Sequence, residues 1–197
     1  MDWTLRRIEK ETDHRILNFF DFHYEVEKEG KVTDYPYFLA SRREKDDLQA
    51  LTKKGLADGV IVCALTEEED PSLLLIEVFR PALNDYVVEF PAGLTEGDAS
   101  PLDTAVRETR EETGFVLKDV RLLCPPSPTS SGLSDELVAV VEGRIDAQSI
   151  RHLEDYEDIS YRLVKLSKVK DYFGTCGHMV ALNVRLLVER LLEKHHG

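Results

Sequence analysis

The chain has 197 residues, 42% hydrophobic and 32% charged, a balance that excludes wholesale disorder and suits one domain with a small appendage. Its 25 lysines and arginines against 38 acids give a net charge of −13, which opposes binding to free nucleic acid. The segment MDWTLRRIEKETDH is charged throughout, and apolar runs such as VIVCAL fall far short of the roughly 20 residues that cross a bilayer. A cytoplasmic protein without a membrane partner is therefore expected. Three scattered cysteines (Cys63, Cys124, Cys176) without CxxC spacing fit a reducing compartment.

In chain order, the first 16 residues read as a short helix or an irregular lead-in. Phe20, Phe22, Tyr24 and Val26 then alternate with Asp21, His23 and Glu25, the period of a half-buried strand. EKEGKVTDYP reads as a turn and YPYFLASRR as a second strand. The charged stretch REKDDLQALTKK leads to Gly55, and GLADGVIVCAL enters an apolar strand. TEEEDPS is a hairpin loop before LLLIEVFR, and Asn84-Asp85 is a turn into YVVEF.

The period then changes. Ser100 is an N-cap, Pro101 the first helical residue and Asp103 the acid of a capping box, so a helix is predicted over Pro101–Thr113 with Gly114 as its C-terminal stop. Strands are expected at Val120–Leu123, Leu137–Val141 and Tyr161–Leu166, while CPPSPTSSGLSD is too rich in Pro, Ser and Gly for an element. An apolar-faced helix from about His178 to Glu193 ends the pattern. Mixed strands with two helices predict an α/β or α+β sandwich over 56–197, preceded by a β-rich appendage over 1–55.

The segment RETREE carries the chemistry. On a helix Glu108 and Glu112 stack on one face with Glu111 beside them, an arrangement that repels itself unless a cation sits among the acids. Carboxylate oxygens are what hard divalent cations prefer. Arg107 stands four residues before Glu111 and can hold it from the side. A solvated acidic helix face is the plainer alternative.

The stretch from Gly93 through Arg107-Glu108-Thr109-Arg110-Glu111-Glu112-Thr113-Gly114-Phe115 resembles the Nudix box, with the Gly-to-Arg spacing of fourteen and the closing glutamates kept. Two positions depart from it: Ala99 stands where the box has a glutamate, with Asp98 one residue early, and Thr109 where it has an aliphatic residue. The resemblance implies a Nudix α/β/α sandwich and pyrophosphate hydrolysis dependent on Mg²⁺ (Mn²⁺ being the other candidate), with the metal held by Glu108, Glu111, Glu112 and the Ala92 carbonyl.

FRPALNDYVVEFPAGL, with Ala57-Asp58-Gly59 upstream, further resembles the ADP-ribose (ADP-sugar) pyrophosphatase subfamily. That likeness implies hydrolysis of ADP-ribose or a related nucleoside diphosphate sugar to AMP and a sugar phosphate. Arg80 would meet the phosphates and Glu89 the terminal ribose or a nearby polar group. Tyr37 would stack on the adenine, with Phe19 or Phe20 for the other face, and Arg42 would contact phosphate. The candidate catalytic set is Glu157, Glu111 and Arg107, Glu157 orienting the attacking water, with Asp155 and Glu154 as its alternatives. The likeness also implies a homodimer formed through the N-terminal strands. Relatives tend to carry a proline where Ser131 stands here, which leaves open another nucleotide sugar or a dinucleotide as substrate. A non-catalytic nucleotide sensor is the remaining alternative.

Overall fold

A computed structural model describes residues 1–97, 99–148 and 158–196, without the side chains of 146–148, 195 and 196. It divides into two compact units, Met1–Asp58 with Pro126–Val138, and Gly59–Pro125 with Ala139–Gly197.

In the first unit, strands β1 (Asp2–Lys10), β2 (Asn18–Lys28) and β3 (Lys31–Ser41) form an antiparallel sheet in the order β1-β2-β3. The β2 alternation buries Phe20 and Phe22 with Ile8, Leu39 and Leu48. The turn expected over EKEGKVTDYP contracts to Glu29 and Gly30, whose φ values of 54° and 76° suit a two-residue hairpin, and β3 takes the remainder. The lead-in is also corrected, because residues 2–10 form β1 and pair with β2. A register shift between Leu5 and Arg7 breaks the period of two, so Trp3 and Leu5 share a face with Ile8 and the alternation is lost from the sequence.

A 3-10 turn (Lys45–Asp47) and a one-turn helix, α1 (Gln49–Thr52), follow β3. Beside them Arg43 and Asp58 form an ion pair at 2.6 Å, their side chains only 14% and 13% exposed. Arg43 also donates to the Leu56 carbonyl at 3.1 Å, and Asp58 accepts from the Leu137 amide at 2.8 Å.

The second unit is built on a mixed sheet. Its strands are β4 (Gly59–Leu65), β5 (Ser72–Arg80), β6 (Asp85–Glu89), β7 (Ala92–Leu94), β8 (Phe115–Pro128), β9 (Leu137–Gln148), β10 (Ile159–Lys165) and β11 (Met179–Val180). They follow the order β11-β6-β5-β4-β9-β8, with β10 paired to β5 and β7 to β4. Residues of β4 and β5 are buried almost continuously, which requires cover on both faces. Helix α2 (Pro101–Thr113) packs against β4, β7 and β10. Helices α3 (Val169–Thr175) and α4 (Leu182–His196) supply Val169, Val184, Val188 and Leu191 to a core with Cys63, Leu73, Val88 and Phe90. Burial pushes the Cys63 thiol up to about 12, so it behaves as a small apolar core group.

This is the expected α/β sandwich, with three differences in detail. Helix α3 adds a third packed helix. The last helix starts at Leu182 because Met179 and Val180 pair in parallel with Val87 and Val88. The segment Cys124–Pro128 belongs to β8, where prolines are tolerated because β8 is an edge strand.

Replacing Asp58 by Ala leaves Arg43 with a buried charge and no carboxylate, and removal of one partner of such a pair costs about 3–5 kcal/mol. Urea unfolding should therefore show an unfolding free energy lowered by that amount, with the midpoint shifted down accordingly and Asp58→Asn intermediate. A change below about 1 kcal/mol would contradict the pairing as a source of stability.

Candidate active site

Helix α2 starts and stops where its capping residues dictate. The Ser100 hydroxyl accepts from the Asp103 amide at 3.1 Å and donates to the Asp103 carboxylate at 2.7 Å. Gly114 at φ 79° closes the helix with its amide on the Arg110 carbonyl at 2.9 Å. Thr109 is wholly buried, and its hydroxyl is satisfied by the Ala105 carbonyl at 2.7 Å, which explains how a polar residue occupies a core-facing position.

The turn before α2 is fitted to the helix acids. A β-carbon at Gly93 would collide with the Glu108 carboxyl group, so only glycine lets that side chain lie against the turn. The Ala92 amide donates to Glu112 at 3.1 Å. Arg107 links three groups: Glu111 at 2.7 Å, Glu108 at 2.7 Å and the Leu94 carbonyl at 3.0 Å. Partial burial lowers the Arg107 pKa, but Glu108 and Glu111 outweigh it and hold the guanidinium above its usual value. The acids of α2 therefore have an internal counter-charge, and their ligand oxygens do not form a trio within 4.8 Å; among the described residues Glu9, Asp21 and His23 do. An all-oxygen set beside a main-chain turn fits a hard divalent cation.

Arg80 and Glu89, assigned separate roles above, pair with each other through two hydrogen bonds at 3.0 and 2.5 Å. These bonds raise the Arg80 pKa against the opposing effect of burial, and the Glu112 charge adds to the rise. Arg80 thus lies within the field of the helix acids. Sequence reading missed Glu96, which approaches Arg107 at 4.0 Å, while Ala99 is exposed. No spacing rule marks Glu96, because it lies in the irregular connection to α2. Asp98 lies outside the described residues, as do Glu157, Asp155 and Glu154. The next acid, Asp158, accepts a hydrogen bond from the Tyr86 hydroxyl.

Tyr37 and Arg42 belong to the first unit. The Tyr37 hydroxyl donates to the Gly132 carbonyl at 2.9 Å, and its ring lines a cavity of about 250 Å³ with Phe22, Gln49, Pro128 and Ser131. Arg42 faces Glu136 at 3.4 Å. Phe20 is fully buried and is excluded as a surface for a base, whereas Phe19 is 49% exposed.

Residues 55–175 match the NUDIX domain family. The chain belongs to the Nudix family. It is 32% identical over 139 residues to the ADP-sugar pyrophosphatase of Mus musculus, covering 64% of this chain and 63% of that protein. It is 38% identical over 81 residues to the ADP-ribose pyrophosphatase of Bacillus subtilis, covering 41% and 42%. The chain thus spans less than two thirds of the length of these relatives. The crystal structure of an ADP compounds hydrolase superimposes with a TM-score of 0.71 at 20% identity, covering 100% of this chain and 97% of that one, which shows a shared fold.

The Nudix glycine is the most sensitive point of this arrangement. Gly93→Ala should displace the Glu108 carboxyl group and destabilise the protein by about 1–3 kcal/mol, the usual range for overpacking. Thermal unfolding with and without Mg²⁺ reads this: the variant should melt earlier and lose any stabilisation that the ion gives the parent protein.

Proposed function

We propose that the protein hydrolyses the pyrophosphate bond of ADP-ribose or a related nucleoside diphosphate sugar, giving AMP and a sugar phosphate. The observation that carries this reading is the docking of Gly93 and Ala92 onto Glu108 and Glu112, with Arg107 bridging Glu108 and Glu111. The similarity to ADP-sugar and ADP-ribose pyrophosphatases supports the substrate class.

Glu108, Glu111, Glu112 and the Ala92 carbonyl would hold Mg²⁺, with Mn²⁺ as a substitute. A cation there neutralises diphosphate charge and favours ionisation of the attacking water. Arg107 is a positioning residue that fixes the rotamers of Glu108 and Glu111. Arg80 meets the diphosphate through its planar fork, which suits phosphate oxygens, and Glu89 is released from it toward the sugar. Tyr37 is the base platform and Arg42 a further phosphate contact. Glu157 orients the water, with Asp155 and Glu154 as alternatives. A homodimer through the N-terminal strands and a cytoplasmic location complete the proposal. Ser131 at the Tyr37 cavity favours a second reading, in which another nucleotide sugar or a dinucleotide is the better substrate.

Glu111→Gln and Glu112→Gln should each lower turnover at least about a hundredfold, roughly 2.7 kcal/mol of transition-state stabilisation, with an unchanged circular dichroism spectrum. Activity within threefold of the parent in both variants would remove the metal assignment. A panel of ADP-, UDP- and GDP-sugars with phosphate detection tests the substrate. Tyr37→Ala should mainly raise KM for ADP-ribose, since stacking contributes nearly equally to ground and transition states. Equal cleavage of all three nucleotides would refute the base platform. Light scattering tests the dimer, which requires twice the chain mass of 22.5 kDa.

A further inference from the structure

The first unit's sheet has a second face, turned away from Phe20, Phe22 and Leu39, and it gathers three metal-ligating side chains. The β1–β2 register sets Glu9 opposite Asp21 and Arg7 opposite His23. Asp21 and His23 are two residues apart on β2, so their side chains share a face. The ligand atoms of Glu9, Asp21 and His23 lie within 4.8 Å of one another.

Two further observations show that this cluster is not satisfied by its own members. His23 Nε2 lies 3.2 Å from Asp21 Oδ2 and 3.0 Å from Arg7 Nη2. A protonated Nε2 can donate to the carboxylate but then opposes an N–H of the guanidinium. An unprotonated Nε2 can accept from Arg7 but then sets its lone pair against a carboxylate oxygen. One of the two contacts is unfavourable in either form. Asp21 Oδ1 is also buried and has no hydrogen-bond partner among the described residues, a costly state for a carboxylate oxygen.

We propose that Glu9, Asp21 and His23 form a binding site for a first-row divalent transition metal, separate from the acids of α2. A cation at Nε2 removes the first conflict, because the nitrogen lone pair and the carboxylate oxygens that face it, Asp21 Oδ2 and Glu9 Oε2, then point at one positive charge. The spacings agree: Nε2 lies 3.2 Å from Asp21 and 3.9 Å from Glu9, on either side of the edge of about 3.4 Å in a tetrahedron with bonds of about 2.1 Å. Arg7 is the competitor. It is expelled from Nε2 and keeps Glu9 Oε1, which it meets at 3.2 Å through its other amino group. The imidazole sets the preference, since nitrogen selects Zn²⁺ or Co²⁺ over Mg²⁺, whereas the α2 set offers oxygen alone.

The test uses the full chain after removal of metals by chelation, with Co²⁺ as the probe. Proton NMR should show a paramagnetically shifted imidazole N–H at one equivalent, a signature that an all-oxygen site does not give. His23→Gln should abolish it, and Asp21→Asn should weaken Zn²⁺ binding at least about tenfold. Arg7→Gln should tighten Zn²⁺ binding by about tenfold, a gain that misfolding does not produce. The proposal is overturned by the absence of a shifted imidazole in the parent protein, or by a signal that survives in His23→Gln and so belongs to another histidine such as His195 or His196. Unchanged affinity in Arg7→Gln equally refutes the competition on which it rests.

Discussion

The carboxyl group of Glu108 and the main chain of Gly93 occupy space that any larger residue at 93 would fill, and the organisation of the second unit follows from this close approach. It brings the turn after β6 down onto the second half of α2, where the Ala92 amide meets Glu112 and the Leu94 carbonyl meets Arg107. Three acids on one helix would ordinarily repel one another, at a few tenths of a kcal/mol for each exposed like-charge pair and more where burial lowers the dielectric. Arg107 relieves that repulsion from within the helix, holding the Glu108 and Glu111 side chains through one guanidinium. The buried Thr104, Thr109 and Thr113 hold the helix to the sheet.

Arg80 brings a second balance of charge. Its fork is already filled by Glu89, so a phosphate that bound there, as proposed, would have to compete with a carboxylate for the same donors. Such a pairing lets a protein of net charge −13 keep an arginine oriented and partly desolvated without attracting every small anion. On that proposal, selectivity would favour ligands that offer an arginine partner and also something for the displaced Glu89 to accept, such as a sugar hydroxyl.

What the sequence revealed depended on how local the determining physics was. The limits of α2 follow from Ser100, Pro101 and Gly114, each acting within one helical turn, and the expected bounds agree with the structure. The alternation of Phe20, Phe22 and Tyr24 likewise exposed β2. Strand β1 stayed hidden because one register shift changes the parity of its apolar residues. The pairing of Arg80 with Glu89 depends on the register between β5 and β6, and Glu96 reaches Arg107 through an irregular connection. Neither leaves a trace in residue spacing. The Pro-rich stretch after Cys124 was misread for a related reason: proline argues against a central strand, but position within a sheet is not a local property.

That stretch has a consequence for behaviour at high concentration. Strand β8 is an outer edge of its sheet, and an outer edge ordinarily offers a row of amide donors to any passing chain. Pro125, Pro126 and Pro128 carry no amide hydrogen, so the far end of β8 presents an interrupted row that a foreign strand cannot pair with continuously. The same imino acids that mask the strand in the sequence act as its guard against edge-to-edge polymerisation.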